Sequence, residues 1–187
     1  MLVQSVEARQ PLERRLQGAV GTIAVMADRN EGVHLASNEG VPYWFLGTRM
    51  TVKADGALTG GRFSMTEFTA PHGFGPPRHV HAEQDEAFII VQGRIRVACG
   101  EQDEWDAGPG SFVYLPHKVP HAFVVTSREP VVGWALCAPS GFEDLVAEVG
   151  EPATGPGLPA PVELDVARVA DASARHGSEI LGPPMRP

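Results

Sequence analysis

Short apolar runs, cut at close intervals by glycine and proline, constrain this chain more than any other feature. It holds 21 Gly and 17 Pro in 187 residues. Between them lie β-branched and aromatic runs at 44–53, 58–69, 77–81, 87–91, 95–99, 111–115, 122–126 and 131–137. Turn signals separate the runs: Ala54-Asp55-Gly56, Gly60-Gly61, Gly93, Gly100, Gly108-Pro109-Gly110 and Pro116. Proline and glycine break helices but suit the tight turns between short strands. The rhythm therefore predicts an all-β sandwich or barrel and argues against a helical bundle. The length suits one domain. With 43% apolar and 20% charged residues the chain can bury a core without disulfide staples.

Three zones follow along the chain. Residues 1–18 are charged, contain Pro11, and read as an extension without visible chemistry. Residues 19–141 read as the barrel, entered through an arm of strands that reaches about Leu46. Residues 142–187 read as a helical tail. In it, Phe142, Leu145, Val146 and Val149 share a helix face. A Pro/Gly linker covers 151–161, and a second helix over 162–174 places Leu164, Val166, Val169 and Ala170 on one side and stops at His176-Gly177. No internal repeat of the barrel is visible, so one barrel is expected.

Charge and cysteine usage narrow the function classes. The formal net charge is -8 and the 15 cationic residues are scattered, which disfavours nucleic acid as a partner. Cys99 and Cys137 each sit inside an apolar run, as core thiols do. No apolar run is long enough for a signal segment or a membrane span, so a cytoplasmic protein is the expectation.

Chemistry concentrates in residues 73–93 and 110–124. His79 and His81 are two apart, so on a strand both imidazoles face the same way, close enough to share one ion. Glu86 heads the next apolar run, which is expected to return antiparallel beside the first and set a carboxylate opposite the histidines. His121 opens a further strand. Three imidazoles and one carboxylate make a mixed nitrogen and oxygen set that suits one divalent transition ion, Fe, Ni, Co, Mn, Cu or Zn, and leaves coordination positions open.

These intervals resemble those of the cupin superfamily. Its first motif, Gly, five residues, His-x-His, three or four residues, Glu, six residues, Gly, is matched by Gly73, His79, His81, Glu86 and Gly93. Its second motif is matched at Gly110, Pro116 and His121, but Lys118 stands in place of its glycine and Val125 in place of its asparagine. The chain is similar to small single-cupin proteins of the quercetin 2,3-dioxygenase-like group. The resemblance implies a double-stranded β-helix, a jelly-roll-like barrel, with the matched block spanning 73–125 and the metal at its mouth. It also implies a double role for Glu86, as ligand and general base.

The expected activity is a metal-dependent dioxygenation of a flavonol, an aromatic polyketide or another phenolic substrate, with O2 as co-substrate. A non-oxidative cyclase, isomerase or lyase and a small-molecule-binding protein without catalysis are the alternatives on the same cup. Phe88, Phe112, Tyr114, Phe123 and His72 are the candidate pocket residues. For any single aromatic, ordinary core packing competes with that role. His117 also adjoins the motifs, whereas His34 and His176 read as surface residues. Exposed strand edges suggest a homodimer.

Overall fold

A computed structural model describes residues 32–37, 39–161 and 165–187. The extension at 1–18 and the arm as far as residue 31 lie outside the described residues. The elements run β1 (Val41–Phe45), β2 (Thr48–Ala54), α1 (Gly56–Thr59), β3 (Ser64–Ala70), β4 (Pro77–His81), β5 (Asp85–Gln92), β6 (Ile95–Cys99) and β7 (Trp105–Ala107). They continue with β8 (Phe112–Leu115), β9 (His121–Val125), β10 (Val131–Ala138), α2 (Phe142–Val149), β11 (Glu151–Pro152), α3 (Val166–Arg175) and β12 (Ser178–Pro184). Two antiparallel sheets form the barrel, in the orders β11-β1-β2-β3-β10-β5-β8 and β12-β4-β9-β6-β7. Among the described residues no helix is long and apolar enough to cross a membrane.

Alternation decides which side chains enter the barrel. In β3, β5 and β10 every second residue is buried, which sends Phe68, Phe88, Ile90 and Ala135 inward. Strand β9 is buried at all five positions, because it lies between neighbours within its sheet and is covered on both faces. Phe88 bridges the two sheets, with its ring 5.8 Å from that of Phe68 and 5.3 Å from that of Phe123. Gly93 shows what the motif glycine does. Its φ is 77°, and a Cβ there would lie 2.9 Å from the Val131 Cα, so a side chain would meet both backbone strain and a neighbouring strand. Cys99 and Cys137 are both buried free thiols.

Several expectations are corrected by the structure. The run 44–53 is two strands, turned at Leu46 and Gly47, which both have positive φ. The run 58–69 begins as the short helix α1, capped by Asp55, whose carboxylate accepts from the Leu58 N–H at 2.8 Å. Strands β4 and β5 do not pair: β4 lies between β9 and β12, and β5 lies in the other sheet between β10 and β8. The tail at 142–187 is not wholly helical, since Ser178–Pro184 adds as an edge strand to β4. Helix α3 buries Ala172 and Ser173, while Val166 is 69% exposed and Leu164 lies outside the described residues. The chain turns back at Gly177, so the packed face of α3 is the one nearest β12.

Candidate metal centre

Strand β4 carries two of the four polar side chains, and the period of two points both into the barrel mouth. His121, the first residue of β9, pairs with His79 across the ladder, so the third imidazole enters from the neighbouring strand. Between Pro116 and His121 the chain is stitched to β4 by the Lys118 N–H, which donates to the His81 carbonyl at 2.8 Å. Lys118 has φ 61°, a left-handed conformation that explains why the cupin motif has glycine at this point. Glu86 arrives from the opposite sheet. Its carboxylate is therefore across the barrel from the imidazoles rather than beside them on a hairpin.

Among the described residues, His79, His81, Glu86 and His121 bring one ligand atom each within 4.8 Å of one another. Glu86 Oε2 lies 3.4 Å from His121 Nε2 and 3.9 Å from His81 Nε2. Each ring has its other nitrogen engaged. His79 Nδ1 lies 2.8 Å from the Pro77 carbonyl and His121 Nδ1 lies 2.9 Å from the Val119 carbonyl, so both must be N–H donors. His81 Nδ1 meets the Ser178 hydroxyl at 2.8 Å. Such contacts leave the Nε2 lone pairs free to bind an ion.

The donor set fits a divalent ion on an observation independent of spacing. His81 Nε2 and His121 Nε2 are buried and have no hydrogen-bond partner. Two orphaned acceptors side by side carry a desolvation cost that a cation between them would remove. Protonation points the same way. Burial, the largest influence, brings His79 down to about 4, with Glu86 opposing and the His121 and His81 rings adding to it. Burial likewise lowers His81. For Glu86 burial acts upward, but the imidazoles, His121 foremost, bring it below its ordinary value. Neutral imidazoles and an ionised carboxylate are the forms that metal binding requires.

Next to these groups lies an apolar cup of about 80 Å³, walled by Met50, Phe68, Phe74, Phe88, Phe123 and Phe142 among others. Water needs roughly 10–15 Å³ of such space, so the cup has room for about five to eight waters. Phe88 and Phe123 reach it, as their shared parity with Glu86 and His121 implies. Phe112 and Tyr114 do not. They alternate with Val113 and Leu115, which point inward, and are 67% and 51% exposed on the outer face of the seven-stranded sheet. His72 is exposed too, its Nδ1 held 3.0 Å from the Ser127 carbonyl. His117 pairs with Asp85 at the surface, 2.7 Å away. Sequence reasoning missed Met50, Phe68, Phe74, Phe142 and Ser178. Only Met50 and Phe68 carried a usable signal, the alternation along their own strands.

Residues 66–137 match the family model for the cupin domain. The polyketide cyclase RemF from Streptomyces resistomycificus has a similar structure, with a TM-score of 0.50 and 20% identity over 58% of this chain and 80% of that one. KdgF from Halomonas sp. is similar more loosely, with a TM-score of 0.46 and 20% identity over 52% of this chain and 85% of that one. No curated protein matches the sequence. At these identities the shared property is the fold. The matched stretch identifies a cupin domain within the chain, and the likeness to RemF shows the fold alone, a β-barrel of two antiparallel sheets.

Proposed function

We propose that this cupin is a metal-dependent dioxygenase acting on a small phenolic or enolic substrate. The observation that carries the reading is the placement of Glu86, a buried carboxylate beside three imidazoles and at the wall of an apolar cup. A divalent ion held by His79, His81, Glu86 and His121 would make a substrate hydroxyl more acidic and, if redox-active, open the resulting anion to reaction with O2. The chain's own residues do the rest. The Glu86 carboxylate takes the hydroxyl proton, and the phenylalanines exclude bulk water and stack against a planar ring.

The same placement of Glu86 at the wall of the cup supports a second reading, a non-oxidative cyclase, isomerase or lyase, in which the carboxylate takes a substrate proton without O2. Oxygen-electrode traces with metal-loaded protein separate the two. Catechols, small β-diketones and quercetin are the substrates to compare. Oxygen uptake that depends on one of them supports the dioxygenase. Conversion without oxygen uptake replaces it with the second reading.

We further propose that the protein forms a homodimer through the outer face of the seven-stranded sheet. The ladders align Met65, Leu136, Ala87 and Tyr114 in one row and Trp134, Ile89 and Phe112 in the next. Ile89 is 46% exposed there, and contiguous apolar side chains on an open sheet face mark an interface. At its margin Lys53 is paired with Glu67 at 3.6 Å, and Asp85 is hydrogen-bonded to His117 at 2.7 Å. Sedimentation equilibrium is expected to give a dimer for the wild type and a monomer for Ile89→Asp, and a monomeric wild type overturns the assignment.

A further inference from the structure

We infer that the C-terminal strand β12 is a working part of the metal centre, with Ser178 as the positioning residue that accepts from His81 Nδ1–H and holds the ring. The inference rests on the metal-binding reading of the four-residue cluster. Three features carry it.

The first is an asymmetry among the imidazoles. His79 and His121 are each tied to a carbonyl two residues earlier in their own chain segment. A carbonyl can only accept, so these rings must carry their proton on Nδ1. His81 instead meets a hydroxyl from a residue 97 positions away. A hydroxyl can donate or accept, so this contact admits either tautomer of His81. When Ser178 Oγ accepts from Nδ1–H, His81 Nε2 is bare, and this is the nitrogen that is buried without a partner in the cluster.

The second is register. Ser178 lies directly opposite His81 in the β4–β12 ladder, and Ile180 opposite His79. The Ala82 N–H also donates to the Gly177 carbonyl at 2.8 Å, which fixes the first residue of β12 against the end of β4. Ser178 is 6% exposed, so water does not substitute easily for its hydroxyl.

The third is how β12 is held. Arg175 and His176, at the end of α3, both engage Glu148 of α2, the latter at 2.8 Å. The stretch that matches the cupin domain ends at residue 137. The anchor of His81 thus comes from a part of the chain beyond that stretch, tied to α2 through Glu148.

The test is binding of Ni²⁺ and of Zn²⁺, measured by competition with a chromophoric chelator, in wild type, Ser178→Ala and Ser178→Thr. Loss of a hydrogen bond to a ligating histidine costs about 10- to 100-fold in metal affinity, so Ser178→Ala is expected to fall in that range and Ser178→Thr to recover most of it. Long-range ¹H–¹⁵N spectra of the metal-free wild type are expected to show His81 protonated on Nδ1. That measurement needs no variant and holds if Ser178→Ala fails to fold. Wild-type affinity in Ser178→Ala, or a His81 proton on Nε2, overturns the role of Ser178 and leaves the metal centre standing. A wild type that binds neither ion overturns the metal centre, and the inference with it.

Discussion

Adding a single methyl group at Gly75 is expected to damage both the barrel and its mouth. A Cβ at this position would lie 2.1 Å from the Phe123 carbonyl oxygen and 3.2 Å from the Val124 Cα. Carbon and oxygen normally approach to about 3.3–3.6 Å, so the two segments must separate by about 1 Å. They cannot do so freely. The Gly73 N–H donates to the Val125 carbonyl at 3.0 Å, and the Val125 N–H donates to the Phe74 carbonyl at 2.8 Å. Stretching both bonds costs about 1 kcal/mol each, and forcing a methyl into a packed site costs about 1–3 kcal/mol. Gly75→Ala is thus expected to lose about 3–5 kcal/mol, a drop of roughly 6–20 °C in Tm for a chain of this size. Because Phe123 lies two residues beyond His121, metal affinity is expected to fall as well. Urea unfolding of the metal-free protein measures the loss, with Gly157→Ala as control, since nothing lies within 4 Å of a Cβ there. A Gly75→Ala variant within about 0.5 kcal/mol of wild type refutes the reasoning.

Other consequences are equally open to measurement. Glu86→Gln keeps the shape of the side chain but removes its charge and its basicity. It is expected to retain weakened metal binding and to lose turnover, and full turnover removes Glu86 as the base. Lys118→Gly relieves a left-handed residue whose side chain is exposed. Setting about 1–2 kcal/mol of strain against about 0.5–1 kcal/mol of added chain entropy, a gain of about 0.5–1 kcal/mol is expected in urea unfolding. Acid is expected to destabilise the metal-free protein. The folded His79 titrates at about 4, below its ordinary 6.5. Above pH 6.5 neither state binds the proton, and between 6.5 and 4 only the unfolded chain does. The His79 contribution to stability therefore falls through that window, by on the order of 3 kcal/mol. Unfolding midpoints unchanged between pH 7 and pH 4.5 contradict this.

How much of this was readable before folding depends on the range of the interaction. Strands at 77–81 and 95–99 were legible to the residue because turn signals bound each run on both sides. The histidine pair on β4 was legible because a spacing of two has one meaning on a strand. Which strands pair was not. The turn between His81 and Asp85 resembles a hairpin connection, yet it crosses from one sheet to the other, and only the packing of the whole barrel decides that. Parity failed for Phe112 and Tyr114 for a related reason. Both faces of β8 are apolar, Phe112 and Tyr114 on one and Val113 and Leu115 on the other, so alternation could not say which pair enters the cup. Ser178 lay furthest from view, since its link to His81 spans 97 residues.

The most direct test of the account is the metal content of protein purified without added metal, measured by elemental analysis on wild type and His121→Ala side by side. The account predicts close to one transition ion per wild-type chain and a large loss in His121→Ala. A folded wild type that is empty, and that binds none of Fe, Ni, Co, Mn, Cu or Zn on reconstitution, contradicts it.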